Sequence, residues 1–485
     1  MSETSNGLNK FRNILSRFRK KENGITSSLD ELNAMRPEAD RKIICHAPFK
    51  SIRFEQNGVV RTCCFNRQVI LGRHPQQTLT EIWNSDEANK LRSKVEENDL
   101  SFGCQMCSRQ LHNRELSTIK TREFDNMPNA QNGYPVMLDF SIHNTCNLEC
   151  VMCNGEFSSS IRKNREKLPP LELVYDQGFV EQLEEFIPYA KQMVFAGGEP
   201  FLIELYLNIW ERINVLNPQA NVHIVTNGTI LNDRTRNILE NGRYSITHSI
   251  ESFEKKTYEI IRQNASYEKM MSNMEYFYDY CQRTGTEYAI NICPLQQNWK
   301  EIPEFVRFCN EKEIRLYVLT VVHPPDSTLM TLPSKKLSEI INYYNTFQLS
   351  SETQKGKENI ASFQDLIKRL EHWKSKALNE ENNTSERSRM DVLDDSSSET
   401  IPFSELMTEI ERKLAEHVDK YPTNHGLEMN EIKAKLELIN TSFSHRTLPS
   451  YKLENLQNIS SSMLVSLLKT YNDEDLNKAI KDHFL

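Results

Sequence analysis

Cys146-Asn-Leu-Glu-Cys150-Val-Met-Cys153 sets three cysteines within eight residues, spaced by three residues and then by two. A structural zinc site closes its shell with four ligands and usually gathers them as two separated pairs. This stretch offers three thiolates close together and no local fourth. Three protein thiolates on a four-iron cluster leave one iron open for another ligand. The stretch reads as a metal loop with one coordination position to spare, and the sequence around it says what that position is for.

From Tyr134 to about Pro325 short strand-like and longer helix-like segments alternate, the pattern of βα units. Strands are expected at Val136–His143, Val194–Ala196, Val222–Thr226, Ser245–Ile250, Tyr288–Ile292 and Leu316–Val322. Helical spacing lies between them, as in Phe179, Leu183, Phe186 and in Leu205, Ile209, Ile213. The conspicuous residues fall at the C-terminal ends of these strands, where βα barrels keep their chemistry. The cysteine loop follows the first strand. Gly197-Gly198-Glu199-Pro200 follows the second; its glycines admit close approach of a ligand to the backbone, although the same four residues also make a serviceable turn. Thr226-Asn227-Gly228 follows the third, and an Asn-Gly turn and a site-lining Asn227 are equal readings. Ser249-Ile-Glu251-Ser252 follows the fourth, and Asn291 lies on the fifth. Arg262 comes after Tyr258-Glu-Ile-Ile. A solvated helix arginine is the default there, while a planar carboxylate is the partner Arg suits best.

A second cysteine group lies upstream, in residues 41–110. Ile52–Thr62 alternates and turns at Asn57-Gly58, which reads as a β-hairpin bringing Cys45 and Cys63 to neighbouring strand ends. Leu79-Thr-Glu-Ile-Trp83 leads into a polar helix, and Cys104-Gln-Met-Cys107 closes the group with a pair. By count, four thiolates hold zinc or a four-iron cluster equally well, and structural zinc is the commoner use. Cys64, beside Cys63, is an alternative ligand, but alternation along a strand puts the two side chains on opposite faces.

Together these motifs resemble the radical S-adenosylmethionine (SAM) superfamily. The resemblance covers roughly residues 41–325. It implies an α/β fold, a partial (β/α)6 TIM-like barrel. It also implies a catalytic [4Fe–4S] cluster on Cys146, Cys150 and Cys153, with SAM on the open iron. Met152 would face the adenine. Gly197, Gly198 and Glu199 would receive the SAM ammonium, Asn227 and Ser249 would line the site, and Arg262 would pair with the SAM carboxylate. Where relatives have Ser-x-Asp-Gly, this chain has Glu251 and Ser252. The upstream group resembles the SPASM/twitch auxiliary module. The spacing Cys45-x12-Gly58-x4-Cys63 followed by Cys104-x2-Cys107 implies one auxiliary [4Fe–4S] cluster on those four cysteines. In most relatives this module follows the barrel, whereas here it precedes it. The implied chemistry is reductive cleavage of SAM to a 5′-deoxyadenosyl radical that abstracts hydrogen from a substrate. A peptide or protein substrate ranks first. A small molecule such as an aminocyclitol or sugar is the alternative, and a metal-binding scaffold without catalysis is a third. An electron donor such as flavodoxin or ferredoxin is implied.

The rest of the chain sets bounds. Its 485 residues are enough for roughly two to four domains. With 59 basic and 67 acidic residues the formal charge is −8, which argues against bulk nucleic-acid binding. No apolar run long enough for a membrane span and no apolar signal core are evident, so a cytoplasmic protein is expected. Eight of the eleven cysteines lie between Cys45 and Cys153, which opposes a secreted disulfide framework. Cys281 and Cys309 read as small buried hydrophobes, and Cys293 as packing or a substrate-side thiol. The expected organisation is a basic N-terminal arm at 1–40, the auxiliary module at 41–110, a linker at 111–133, the barrel at 134–332 and a helical region at 333–485. Within the arm, Leu8, Phe11, Leu15 and Phe18 share one helical face. In the C-terminal region helices are expected around Phe363–Trp373, Phe403–Val418, Met429–Leu438 and Ser462–Phe484, with a disordered tract near 380–399.

Overall fold

A computed structural model describes residues 28–391 apart from positions 115, 117, 118, 131 and 323, together with 400–420 and 447–449. The expected N-terminal amphipathic face and the expected helices around 429–438 and 462–484 lie outside these residues. The chain divides into two units, the first ending at Leu378 and the second beginning at Asn379.

The first unit is built on one nine-stranded sheet, ordered β3-β2-β1-β4-β5-β6-β7-β8-β9. Strands β4 (Met137–Ser141), β5 (Gln192–Phe195), β6 (Asn221–Thr226), β7 (Tyr244–Ser249), β8 (Tyr288–Ile292) and β9 (Arg315–Val318) are the six expected barrel strands. All of their pairings are parallel. Helices such as Glu204–Leu216 and Tyr267–Thr284 connect them and bury their apolar faces against the sheet, as parallel strands require.

The upstream module joins this sheet as additional strands. β1 (Ser51–Glu55) and β2 (Val59–Arg61) form the expected hairpin, with Asn57 and Gly58 both at positive φ, and β3 (Gly72–Arg73) pairs with β2. β1 then lies parallel to β4 over five residue pairs. The register sets Phe54, Phe140 and Phe195 directly opposite one another on three neighbouring strands. Their rings stack at 5.1 and 4.5 Å. On the neighbouring rung and the opposite face, Arg53 Nη1 donates to Asp139 Oδ2 at 2.7 Å. The module and the barrel therefore share a ladder, an aromatic row and a half-buried ion pair.

The region after the barrel departs from the expected boundary at 333. Helix Ser334–Asn345 and the start of helix Gln354–Asp391 belong to the first unit. Asn359, almost wholly buried, accepts from Leu316 N at 2.8 Å and donates to Ile314 O at 2.9 Å. Its carboxamide stands in for a neighbouring strand at the free edge of β9, a position that otherwise invites pairing with another chain. The same helix runs on to Asp391, so residues 380–391 are helical where the polar composition suggested disorder. The second unit contains helix Phe403–Lys420, matching the expected periodicity, and an unexpected two-stranded sheet of β10 (Thr400–Pro402) and β11 (Thr447–Pro449). No helix among the described residues is long and apolar enough to cross a membrane.

Phe140→Ala should remove the middle ring of the row and cost about 3–5 kcal/mol. Urea denaturation followed by tryptophan fluorescence checks this. A loss below about 1 kcal/mol would mean that the row does not join module to barrel.

Candidate active site

Each barrel strand ends in a loop that converges on the cysteines. The cysteine loop leaves β4 and is pinned by the serines that open the next helix. Ser159 Oγ donates to Cys146 O at 3.2 Å, Ser160 Oγ to the same carbonyl at 2.8 Å, and Ser158 Oγ to Leu148 O at 2.7 Å. From the far side, Glu149 N and Val151 N donate to Gln263 O and Ile261 O. Burial pushes the Cys146 thiol up to about 12 and the Cys153 thiol to about 11, and it raises that of Cys150. The thiols stay protonated at neutral pH until a metal takes the sulfur and displaces the proton.

The Gly197–Pro200 loop lies against this one. Both glycines have positive φ, and a Cβ on Gly198 would collide with the Thr145 carbonyl. Glu199 is fully buried. Its Oε1 accepts from Phe201 N at 3.1 Å and Thr226 Oγ1 at 2.7 Å, and its Oε2 accepts from Asn227 N at 2.7 Å. Burial raises its pKa while these donors lower it. A carboxylate has about four acceptor sites, so one remains for a ligand. Asn227 extends the junction. Its Nδ2 donates to Asn147 Oδ1 at 3.1 Å and lies 3.9 Å from Cys146 Sγ, and Asn147 Nδ2 donates to Thr229 Oγ1 at 2.9 Å.

At the ends of β7 and β8, Ser249 and Asn291 are half-buried and face each other in register. Met152 is half-buried against the small apolar cluster of Ile261, Leu295 and Val321, on which Cys293 also packs. Arg262 is not solvated. Its Nη2 donates to Glu251 Oε1 at 2.7 Å, and its Nη1 lies 3.9 Å from Cys150 Sγ. Glu251 Oε2 also accepts from Cys293 N at 2.6 Å. The sequence offered Glu251 only as a departure from a motif and Cys293 mainly as packing; nothing in the spacing showed that the two meet.

In the upstream module Cys45, Cys63, Cys104 and Cys107 line one cavity of about 20 Å3, walled by Leu91, Val95 and Phe124. Cys64 is not among the residues lining that cavity; its charged neighbours are Lys120, Arg53, Asp139 and Glu123. Burial pushes Cys63, Cys104 and Cys107 up to about 12. Ala47 N and Asn66 Nδ2 donate to the sulfurs of Cys45 and Cys104 at 3.4 and 3.5 Å. Among the described residues, neither cysteine set contains three sulfurs within 4.8 Å of one another. Zn–S bonds of about 2.3 Å would draw four sulfurs to about 3.8 Å apart. In both sets the sulfurs thus lie further apart than a single zinc ion would draw them. Asp40, His46 and Asp125 do come that close together. Arg36 already pairs with Asp125 at 2.8 Å and Lys50 lies 3.6 Å from Asp40, so this group is an ion-pair cluster with its charge met.

Residues 140–309 match the model of the radical SAM superfamily, and residues 45–108 match that of the SPASM iron–sulfur cluster-binding domain. The chain carries a radical SAM domain and a SPASM module. Both domains carry [4Fe–4S] clusters, and both cysteine sets fit that use. Among curated proteins, the chain is 24% identical over 191 residues to a probable GTP 3′,8-cyclase of Methanocella arvoryzae, covering 38% of this chain and 57% of that one. It is 23% identical over 181 residues to GTP 3′,8-cyclase of Clostridium perfringens, covering 37% and 53%. The chain thus spans about half the length of the curated relatives it matches. Among solved structures it resembles Streptococcus suis SuiB bound to precursor peptide SuiA, at 15% identity and a TM-score of 0.33, covering 55% of this chain and 61% of that one. It also resembles anSMEcpe with bound AdoMet, at 16% identity and a TM-score of 0.34, covering 43% and 57%.

Cys63→Ser should cost the protein its auxiliary iron, and Cys64→Ser should not. Iron and sulfide content after anaerobic reconstitution checks both. Equal losses in the two variants would contradict the assignment of Cys63.

Proposed function

We propose that this chain is a radical SAM enzyme acting on a peptide or protein, with Cys146, Cys150 and Cys153 as its catalytic cluster ligands. The observation that carries the reading is the convergence of the three thiols with the buried Glu199 at the ends of parallel strands. A four-iron cluster held there supplies, with an electron from a donor such as flavodoxin or ferredoxin, the reductive cleavage of SAM to a 5′-deoxyadenosyl radical that abstracts hydrogen from substrate. The chain's own residues position and shield. Glu199 offers its remaining acceptor site to an ammonium, a charge-assisted contact. Gly197 and Gly198 keep side chains out of the approach, and Asn227 fixes the loop spacing through Asn147. Met152 presents a soft apolar surface, and Ser249 and Asn291 present polar ones. Arg262 stands apart from these residues: its Nη2 is held by Glu251, and the guanidinium lies beside Cys150.

For the substrate, the supporting feature is an apolar rim. Leu319 is 45% and Val322 55% exposed, flanking Val321, which packs on Val151 and Met152 of the cysteine loop. Phe157, shortly after Cys153, is 40% exposed. Apolar side chains around a polar site suit a partner that brings apolar residues of its own. The names of the curated relatives favour a second reading, a nucleotide-sized substrate.

The test is anaerobic incubation of reconstituted protein with dithionite, SAM and either an unstructured peptide library or GTP. The readouts are 5′-deoxyadenosine and mass change. Peptide should stimulate nucleoside formation and acquire a mass shift, and a Leu319→Glu, Val322→Glu double variant should lose that stimulation while keeping the basal rate. Stimulation by GTP alone would reverse the order of the two readings.

A further inference from the structure

Helix Lys255–Ile261 follows β7 and places Tyr258 and Arg262 one turn apart, with Arg262 N donating to Tyr258 O at 2.7 Å. Residues four apart share a helix face, and this face looks at the cysteine loop. The Arg262 and Glu251 side chains are 7% and 1% exposed, so their ion pair lies inside the protein. Burying two charges is costly unless every remaining hydrogen-bonding group is met. On the Glu251 side the demand is met, because Oε1 accepts from Arg262 and Oε2 accepts from Cys293 N. The Asn298 amide also donates to the backbone carbonyls of Glu251 and Cys293, which fixes the two strand ends from below.

On the Arg262 side the demand is not met. Nη1 has only the Cys150 sulfur at 3.9 Å, and Nε has no partner. The Tyr258 hydroxyl, buried in the same corner near Arg262, Cys150 and Glu251, has none either. Two orphaned donors and a third on the Cys150 sulfur, all out of water, call for an acceptor that the chain does not supply. Such groups carry a desolvation penalty, which would select against them if the corner stayed as it is.

We infer that Tyr258 and Arg262, with Arg262 clamped by Glu251, form a donor corner facing the Cys150 side of the catalytic cluster and set that cluster's reduction potential. The inference rests on the reading of Cys146, Cys150 and Cys153 as cluster ligands. Reduction adds one electron to an already anionic group, and a cation held close by favours the more negative state. The nearer charge is that of Arg262, and Glu251 behind it serves as the positioning residue. The arrangement raises the potential and so eases delivery of the electron to a group that is otherwise hard to reduce. Lys at 262 would keep the charge without the planar fork. Asp at 251 would keep the carboxylate but shorten the arm and draw the guanidinium back from the sulfur.

The experiment is a redox titration without SAM, following the reduced-cluster EPR signal of the reconstituted protein, with SAM affinity measured separately. Arg262→Gln should lower the midpoint enough to change the reduced-to-oxidised ratio at least tenfold, about 59 mV for one electron. Arg262→Lys should recover most of that shift. Tyr258→Phe and Glu251→Asp should shift the midpoint part-way in the same direction. An Arg262→Gln variant that keeps four irons and the parent midpoint, yet binds SAM tenfold more weakly, would overturn the inference and return Arg262 to the SAM carboxylate. If Arg262→Gln fails to hold iron, the comparison rests on Arg262→Lys and Tyr258→Phe, and unchanged midpoints in both would overturn it equally. A parent protein whose three cysteines hold no cluster would overturn the site reading itself, a distinct result visible in iron content before any titration.

Discussion

A single buried carboxylate holds the site together. Glu199 takes donors from its own loop and from the turn after β6, while its backbone N–H reaches the cysteine loop at Thr145 O, 2.7 Å away. Three loops from three strands thus meet at one residue with no solvent between them. The two preceding glycines make that meeting possible, since a side chain at 198 would push the cysteine loop away. The spacing of Cys146, Cys150 and Cys153 relative to the rest of the site follows from this contact more than from the cysteine loop itself. Ser158, Ser159 and Ser160 complete the frame by holding the loop's carbonyls.

The second constraint is the sheet. A module that precedes the barrel in sequence docks beside the first barrel strand in space, because β1 can pair in parallel with β4 across a connection of many residues. Parallel pairing needs such a crossover, and residues 56–136 provide it while also carrying the cysteine cavity. Phe54, Phe140 and Phe195 on one face and Arg53 with Asp139 on the other fix the register. A slip by one residue would turn the aromatic row onto the polar face.

Much of this was legible in the chain. The six barrel strands were visible because each is a short apolar run bounded by turn signals, and the hairpin because Asn57-Gly58 admits the left-handed turn. Cys63 was preferred to Cys64 on strand alternation and family spacing, but β2 ends at Arg61, so alternation does not reach the pair; of the two, Cys63 lines the cysteine cavity. Other features were not legible, since they depend on contacts between distant segments. Arg262 read by default as a solvated helix residue and by resemblance as a partner of the SAM carboxylate, and nothing local shows that Glu251 will turn in to meet it. The polar stretch after Glu380 looked disordered, yet the helix begun at Gln354 carries through to Asp391. Asn359 gave no signal at all, since an asparagine that caps a strand edge looks like any other helix asparagine.

The central claim is that two separate thiolate sets hold two four-iron clusters and that only the second supports SAM cleavage. Anaerobic reconstitution with iron and sulfide, followed by dithionite and SAM, tests it most directly when the parent is compared with the Cys146→Ala, Cys150→Ala, Cys153→Ala triple variant. The account predicts about eight irons per chain in the parent and about four in the variant, with 5′-deoxyadenosine formed only by the parent. Iron content unchanged by the triple substitution, or nucleoside formation that survives it, would contradict the account.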